Sequence, residues 1–399
     1  MHTISNIEIK NKRVLVRVDF NVPLNAQFEV ADTTRIRAAL PTLKYILNQG
    51  GSLVLMSHLG RPKTGPNTKY SLKHIVPCLE ALLEHKIQFV EDCISGDAFE
   101  ITKSLKPGNV ILLENLRFYA QEERGDVDFA KQLSRHGDIY INDAFGTAHR
   151  EHASTAVIAR FFNTAHKALG LLMSAEVESI SKVLNFAEKP FTAIIGGAKV
   201  SDKILIIQQL MNRAQHIIIG GGMAFTFIKA MGGATGASLC EKDRLDTALE
   251  LINLAKQKGV QLHLPSDACI ADAFDQNANT QLVSSFEIPD LWMGLDIGPK
   301  SMDAFAKVIQ NSKTILWNGP MGVFEMSAFE TGTRVIAEAI VKATQAGAYS
   351  LIGGGDSVAA INKYQLSSMV SYVSTGGGAL LEFIEQGTLP GVDAINFQS

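Results

Sequence analysis

Short β-branched and apolar runs recur along the chain, each closed by a polar, turn-rich cluster and followed by a stretch with helical periodicity. That alternation predicts repeated βα units around a parallel sheet. In the first half the runs are RVLVRVDFNVP, SLVLMSHLGRP, NVILLENLRF and DIYINDAFGTAHR. In the second they are TAIIGGAKVSDK, HIIIGGGMAF, TILWNGPMGVFE, YSLIGGGDSVAA and VSYVSTGGGALL. Between the halves, Ser174 to Lys189 carries apolar residues at Val177, Ile180, Val183, Leu184 and Phe186 and stops before Pro190, which predicts an amphipathic connecting helix. There is no repeat of fixed period. The closing LPGVDAINFQS has a turn signal at Pro390 and Gly391 and then a short apolar tail.

Length and composition narrow the class. A chain of 399 residues suggests two domains, and 46% hydrophobic with 19% charged residues is a globular rather than a disordered composition. A formal charge of -3 argues against a surface that coats nucleic acid but leaves room for local anion pockets. Cys78, Cys93, Cys240 and Cys269 form no CxxC pair, so neither zinc nor a disulfide framework is suggested and a reducing cytosol is expected. The opening MHTISNIEIKNKRV has no apolar core of signal-peptide length, and no window reaches the ~18 apolar residues of a membrane span. A cytoplasmic protein with no membrane partner is expected.

The strand ends of the two halves differ in chemistry, which implies two different ligands. Those of the second half carry the glycine runs Gly220 to Gly222, Gly353 to Gly355 and Gly376 to Gly378. In an open parallel sheet, ligands sit beyond the carboxyl ends of the strands, where helix N-termini suit phosphate and glycine lets the backbone come close. No GxxxxGK[ST] loop, GxGxxG fingerprint or protein-kinase HRD and DFG pair is present, so a nucleotide must be held in another way. Lys199 and Lys203 flank the start of a helix for which Ser201 is the expected N-cap; cations there oppose the helix dipole unless an anion joins them. Asp356 stands where either an N-cap or a ligand for a phosphate-bound metal would stand, and the residue pattern leaves both open.

Strand ends of the first half present Asp19, Asn21, Arg35, His58, Arg61, Arg117, His149, Arg150 and His152. Several cations at successive strand ends of one sheet should converge on one crevice and persist there by neutralising an anion. Asp19 and Asn21 add groups suited to hydroxyls, which points to a polyhydroxylated acid phosphate.

Taken together, RVLVRVDFNVP, SHLGRP, LLENLRF, NDAFGTAHREH, GGAKVSDK, GGGMAF, WNGPMGVFE, GGGDS and STGGGALLEFIEQGTLPGVDA resemble the blocks of the phosphoglycerate kinase family, in family order and over essentially the whole chain. The resemblance implies an α/β fold of two Rossmann-like, doubly wound parallel-sheet domains joined by a helical hinge. A 3-phosphoglycerate domain would span residues 1–173, with the C-terminal tail 388–399 packing back on it. The connecting helix would be 174–189 and the nucleotide domain 190–387. By motif position, Asp19, Asn21, Arg35, His58, Arg61, Arg117 and Arg150 would hold 3-phosphoglycerate. Gly197, Lys199, Lys203, Gly221, Gly222, Leu295, Asn318, Pro320, Glu325, Gly353, Gly354, Gly355, Asp356 and Ser357 would hold ATP or ADP, with Asp356 on Mg2+. Arg35, Lys203, Gly354 and Gly377 would act on the transferring group. The resemblance further implies a monomer that acts on small molecules in glycolysis and gluconeogenesis. Ser357, Leu380 and Ser266 depart from the commonest family pattern.

Two other functions stay open on the residues alone. GDSVA at Gly355 to Ala359 is close to GxSxG, which would make Ser357 a hydrolase nucleophile. A nucleotide-binding regulator without turnover is the other.

Overall fold

The computed structural model describes residues 1–63 and 65–396. The chain divides into two compact units, residues 1–178 with the C-terminal segment from Gln386, and Ser179–Glu385.

The first unit is built on strands β1 (Arg13–Val18), β2 (Ser52–Met56), β3 (Ile87–Val90), β4 (Val110–Leu113), β5 (Ile139–Asp143) and β6 (Lys167–Leu169). They form one sheet in the order β3-β4-β2-β1-β5-β6, and every pairing is parallel. Residues of both parities along the central strands are buried, Val14 and Val16 as fully as Leu15, because helices cover both faces. One face packs Val16, Leu55, Leu112 and Ile141 against Ile36, Leu43 and Ile46 of the helix Thr34–Asn48. From β1 the chain winds outward in one direction to β2 and then in the other to β5, so the strand order reverses between β1 and β5.

The second unit carries β7 (Phe191–Ile195), β8 (His216–Ile219), β9 (Ala234–Thr235), β10 (Gln261–His263), β11 (Asp267–Ala271), β12 (Thr280–Ser284), β13 (Glu287–Ile288), β14 (Met293–Ile297), β15 (Thr314–Asn318), β16 (Tyr349–Ile352) and β17 (Tyr372–Val373). Its main sheet is again parallel, in the order β10-β8-β7-β15-β16-β17, with the reversal between β7 and β15. Beside it lie an antiparallel sheet, β12-β11-β14, and the parallel pair β9-β13. In a doubly wound sheet the reversal point is where a crevice opens at the carboxyl ends of the strands.

The connecting helix runs Leu171–Leu184, starting and stopping earlier than the sequence pattern places it. Its first turn is anchored from outside: Leu171 N donates to Thr42 Oγ1 and Met173 N to Asp143 Oδ1. At its other end, the Leu184 carbonyl accepts from Arg213 Nε, which satisfies a terminal group that periodicity cannot reveal. The C-terminal helix Pro390–Asn396 lies against the first sheet: Asn142 Nδ2 donates to Gly391 O at 3.2 Å and Lys167 Nζ to Ala394 O at 2.8 Å. Residues 397–399 of the expected tail lie outside the described residues.

Candidate functional site

Each unit holds a large cavity at the carboxyl ends of its parallel strands. In the first, a cavity of about 860 Å³ is lined by Asp19, Asn21, Arg35, His58, Arg61, Arg117 and Arg150, all seven residues that the motifs nominated for the acid. They come from the loops after β1, β2, β4 and β5 and from the start of the helix Thr34–Asn48. The lining holds six arginines against three carboxylates, so the empty cavity is strongly cationic.

Part of that charge is committed. Arg35 Nη1 meets Asp19 Oδ2 at 3.1 Å and also donates to Asn21 O, which holds the loop after β1 in place. Asn21 Oδ1 in turn accepts from Gly60 N at 2.9 Å, joining that loop to the one after β2. Arg117 is divided between Gly60 O, at 2.9 Å, and Glu123 Oε1, at 3.1 Å. Buried Asn115 sets this turn, accepting from Leu59 N and Arg117 N and donating to Leu59 O and Tyr70 O. Arg61, Arg150, Arg124 and Arg160 pair with no carboxylate among the described residues, and of these four uncommitted cations Arg61 and Arg150 are the two that the motifs nominated.

Two histidines of this cavity, His58 and His152, are held toward the neutral form. Burial first, and then Arg17, Arg117 and Arg35, hold His58 well below the usual imidazole range; burial and Arg17, Arg117 and Arg150 bring His152 down to about 4. Arg117 itself is lowered by burial while Glu123 opposes the shift.

The second cavity, of about 680 Å³, has a different character. Gly197, Gly221, Gly222, Leu295, Pro320, Glu325 and Asp356 line it together with apolar side chains such as Phe225, Leu239, Met293 and Val323. Glycine is required at its edge: a Cβ on Gly196 would lie 2.0 Å from Pro320 O, and one on Gly319 would lie 2.2 Å from Gly196 O. These glycines therefore serve the close approach of the β7 and β15 ends.

The remaining residues nominated for the nucleotide, Lys199, Lys203, Asn318, Gly353, Gly354, Gly355 and Ser357, do not line the cavity, and neither does Gly377, nominated for the transferring group. Four of them, Lys203, Asn318, Gly353 and Ser357, belong to a hydrogen-bonded cluster. Lys203 Nζ donates to Asn318 Oδ1, Asn318 Nδ2 donates to Gly353 O at 2.8 Å, and Gly319 N donates to Ser357 Oγ. Gly354, with φ +89°, precedes the helix Gly355–Lys363 and places its Cα against Asn318. Asp356 joins cavity and cluster, since it lines the one and acts electrostatically on Lys203 of the other. Burial lowers the Lys203 ammonium, and Asp202, Asp356 and Glu385 oppose that shift.

Three sequence expectations need correction. Ser201 is not an N-cap: the helix Ile204–Leu210 has Lys203 at that position, and the Ser201 hydroxyl donates instead to Glu241 Oε1 at 2.6 Å. An N-cap hydroxyl would accept from a backbone N–H; this one donates, and to a carboxylate, which makes the bond charge-assisted. Nor is Asp356 an N-cap, since Gly354 holds that place and Asp356 lies within the first helical turn, exposed. Ser357 is 0% exposed and occupied by Gly319 N, so it is no presented hydrolase nucleophile.

Other residues carry the site without any motif. Glu241 accepts from Val200 N and Ser201 N as well as from the Ser201 hydroxyl, stapling the loop that carries Lys199. Asp296, on the cavity wall, accepts from Ile297 N and from Gly332 N at the start of the helix Thr331–Gln345; burial pushes its carboxyl up to about 7. Leu380 fills the space beside Gly353, its Cδ2 1.8 Å from where a Cβ would be.

Known proteins match this arrangement over its full length. The family model described as phosphoglycerate kinase matches residues 4–387. The phosphoglycerate kinase of Porphyromonas gingivalis is 52% identical, covering 98% of this chain and 99% of its own, and that of Moorella thermoacetica is 49% identical, covering 98% of each. Among solved structures, phosphoglycerate kinase from Coxiella burnetii superposes with a TM-score of 0.90 at 38% identity, covering 99% of this chain and 98% of its own. A cationic cavity in one doubly wound unit, a glycine-edged apolar cavity in the other and these full-length likenesses agree: the chain belongs to the phosphoglycerate kinase family.

Proposed function

We propose that this chain divides the phosphoglycerate kinase reaction between its two cavities, 3-phosphoglycerate in the arginine-lined one and ATP or ADP in the apolar, glycine-edged one. The reaction is reversible phosphoryl transfer between MgATP and 3-phosphoglycerate, giving ADP and 1,3-bisphosphoglycerate. The observation that carries the division is the contrast in lining: six arginines in one cavity, and an apolar wall with glycine edges in the other.

Arg61 and Arg150 bind the acid, being cations free of partners, while Asp19 and Asn21 accept from or donate to its hydroxyl. The attacking carboxylate is already ionised, so no general base is needed, in keeping with the neutral His58 and His152. In-line transfer needs the reacting atoms roughly 3 to 3.5 Å apart, with the helix Leu171–Leu184 as the hinge that lets the ligands meet. Lys203, Arg35 and the backbone at Gly354 and Gly377 then neutralise charge on the moving group.

The residues present fit magnesium: Asp356 is an exposed oxygen ligand on the cavity wall, and a lone carboxylate leaves the other positions to phosphate and water. When bound, the ion supplies neutralisation of phosphate charge. Four unpaired cysteines support a cytosolic setting, and since each cavity is complete within one chain, we take the enzyme as a monomer. Among the described residues no helix is long and apolar enough to cross a membrane.

Separate titrations followed by backbone NMR test the division. 3-Phosphoglycerate should shift amides near Gly60, Arg117 and Thr147, and an unreactive ATP analogue those near Gly197, Gly221 and Gly355. The reverse pattern would overturn the assignment.

A further inference from the structure

Arg17 has no place in the roles assigned so far, yet it is among the largest fully buried side chains, 1% exposed at the end of β1. Its guanidinium is bound on three sides. Nε donates to Ser154 Oγ at 2.8 Å, Nη1 donates to the Val18 carbonyl, and Nη2 meets Nδ1 of His58 at 3.2 Å. Ser154 passes the contact on, donating from Oγ to Glu122 Oε1 and from its backbone N to Glu122 Oε2 at 3.0 Å. Glu122, 1% exposed, thus lies opposite the Arg17 charge with one serine between them. Tyr140 fixes that serine from below, its hydroxyl donating to Ser154 O at 2.8 Å.

The direction of each bond is dictated by chemistry. A guanidinium only donates, so the His58 nitrogen facing Arg17 must be the acceptor. An imidazole whose Nδ1 accepts carries its single proton on Nε2. His58 lines the arginine-rich cavity, so its remaining N–H is the group the ring offers a ligand there. Without Arg17, the ring could present either nitrogen, and an acceptor facing an anion would repel it.

We propose that Arg17 is a positioning residue for the acid cavity: through the Glu122–Ser154–Arg17 chain it holds the His58 proton on Nε2, so that His58 meets the anionic ligand as a hydrogen-bond donor. The proposal rests on the assignment of this cavity to 3-phosphoglycerate, and it adds a residue that touches no ligand.

The test begins on the unaltered protein, labelled with 15N in its histidine rings, the His58 signals being identified by their loss in His58→Gln. Nδ1 should resonate as an unprotonated nitrogen and Nε2 as a protonated one, with no titration from about pH 6 to 8. A protonated Nδ1 overturns the proposal with no variant needed. In Arg17→Met, the His58 signals should move toward a mixture of tautomers or begin to titrate. The KM for 3-phosphoglycerate should rise about 10-fold, while kcat and the nucleotide KM change by less than about 3-fold. Arg17→Lys, which keeps one donor, should recover part of that loss, and it serves where the methionine variant folds poorly. In a His58→Gln background, the Arg17→Met step should cost less than about 2-fold, because the residue acts through the ring. An equal cost in both backgrounds would show a merely structural role and overturn the proposal. Failure of 3-phosphoglycerate to bind the unaltered protein would instead sink the cavity assignment, and the ring tautomer would still be decided.

Discussion

Lys203 is tied to Asn318: its Nζ donates to Oδ1 of the asparagine that ends β15. The asparagine is itself held by Gly353 O, so the lysine is aimed by the ends of two neighbouring strands. A preorganised cation of this kind binds developing charge better than a ground state, and removing one such donor costs roughly 100- to 1,000-fold in kcat. Lys203→Ala should therefore lower kcat by about 100-fold or more with little change in nucleotide KM, and Asn318→Ala, which leaves the charge but not its aim, should lower it by about 10-fold. Steady-state kinetics in both substrates checks this; a raised KM with normal kcat would remove Lys203 from the transfer step.

Arg61 and Arg150 are the two motif residues of the acid cavity that no carboxylate engages among the described residues, so each should give a charge-assisted contact of about 1.5 to 3 kcal/mol. Arg61→Ala or Arg150→Ala should weaken 3-phosphoglycerate by roughly 10- to 150-fold and leave nucleotide affinity unchanged. Isothermal titration reads both constants. Equal losses for the two ligands would contradict the division between cavities.

Glu241 holds the loop of Lys199 by three hydrogen bonds, and Glu241→Ala should loosen that loop. Two backbone donors would then rely on water, so nucleotide affinity should fall by about 3- to 10-fold while 3-phosphoglycerate binds normally. Calorimetry of the variant with each ligand distinguishes this local effect from general unfolding, which would weaken both.

Asp143 ends β5 and accepts from Met173 N in the first turn of the connecting helix. Burial raises its carboxyl from an ordinary 3.8 to about 7, outweighing the bonds from Thr42, Met173 and Leu172. The folded state therefore binds the proton more tightly than the unfolded chain. The stability this contributes is fully present below about pH 4 and lost as pH rises through about 7. Chemical denaturation between pH 4 and 7 should show that falling contribution in the unaltered protein and its absence in Asp143→Asn. A slope unchanged by the substitution would assign the pH dependence to other groups.

How much of this was legible in the sequence follows from where each group gets its role. All nine apolar runs contain a strand, because central strands of a doubly covered sheet need unbroken apolar character. Eight strands lie outside those runs. β3, β6 and β10 are short edge strands, and β9 and β13 are two-residue strands. β12 has weak alternation where most of its residues face water, and β11 and β14 join it in an antiparallel sheet that the βα pattern does not announce. The seven acid residues converge because strand ends of one sheet share one rim. Glu241, Asp296 and Arg17 have no such signal: Glu241 acts on a loop far away in sequence, Asp296 caps another helix, and Arg17 sits inside a strand, where a charge reads as an interruption. Their function arises only when tertiary structure supplies the partner.

The account's central claim is turnover, and ADP formation measured in the presence of Mg2+, ATP and 3-phosphoglycerate tests it most directly. ADP should appear only when all three are present, and its rate should collapse in Lys203→Ala and in Arg61→Ala. A protein that binds ATP and 3-phosphoglycerate in their separate cavities yet forms no ADP would contradict it.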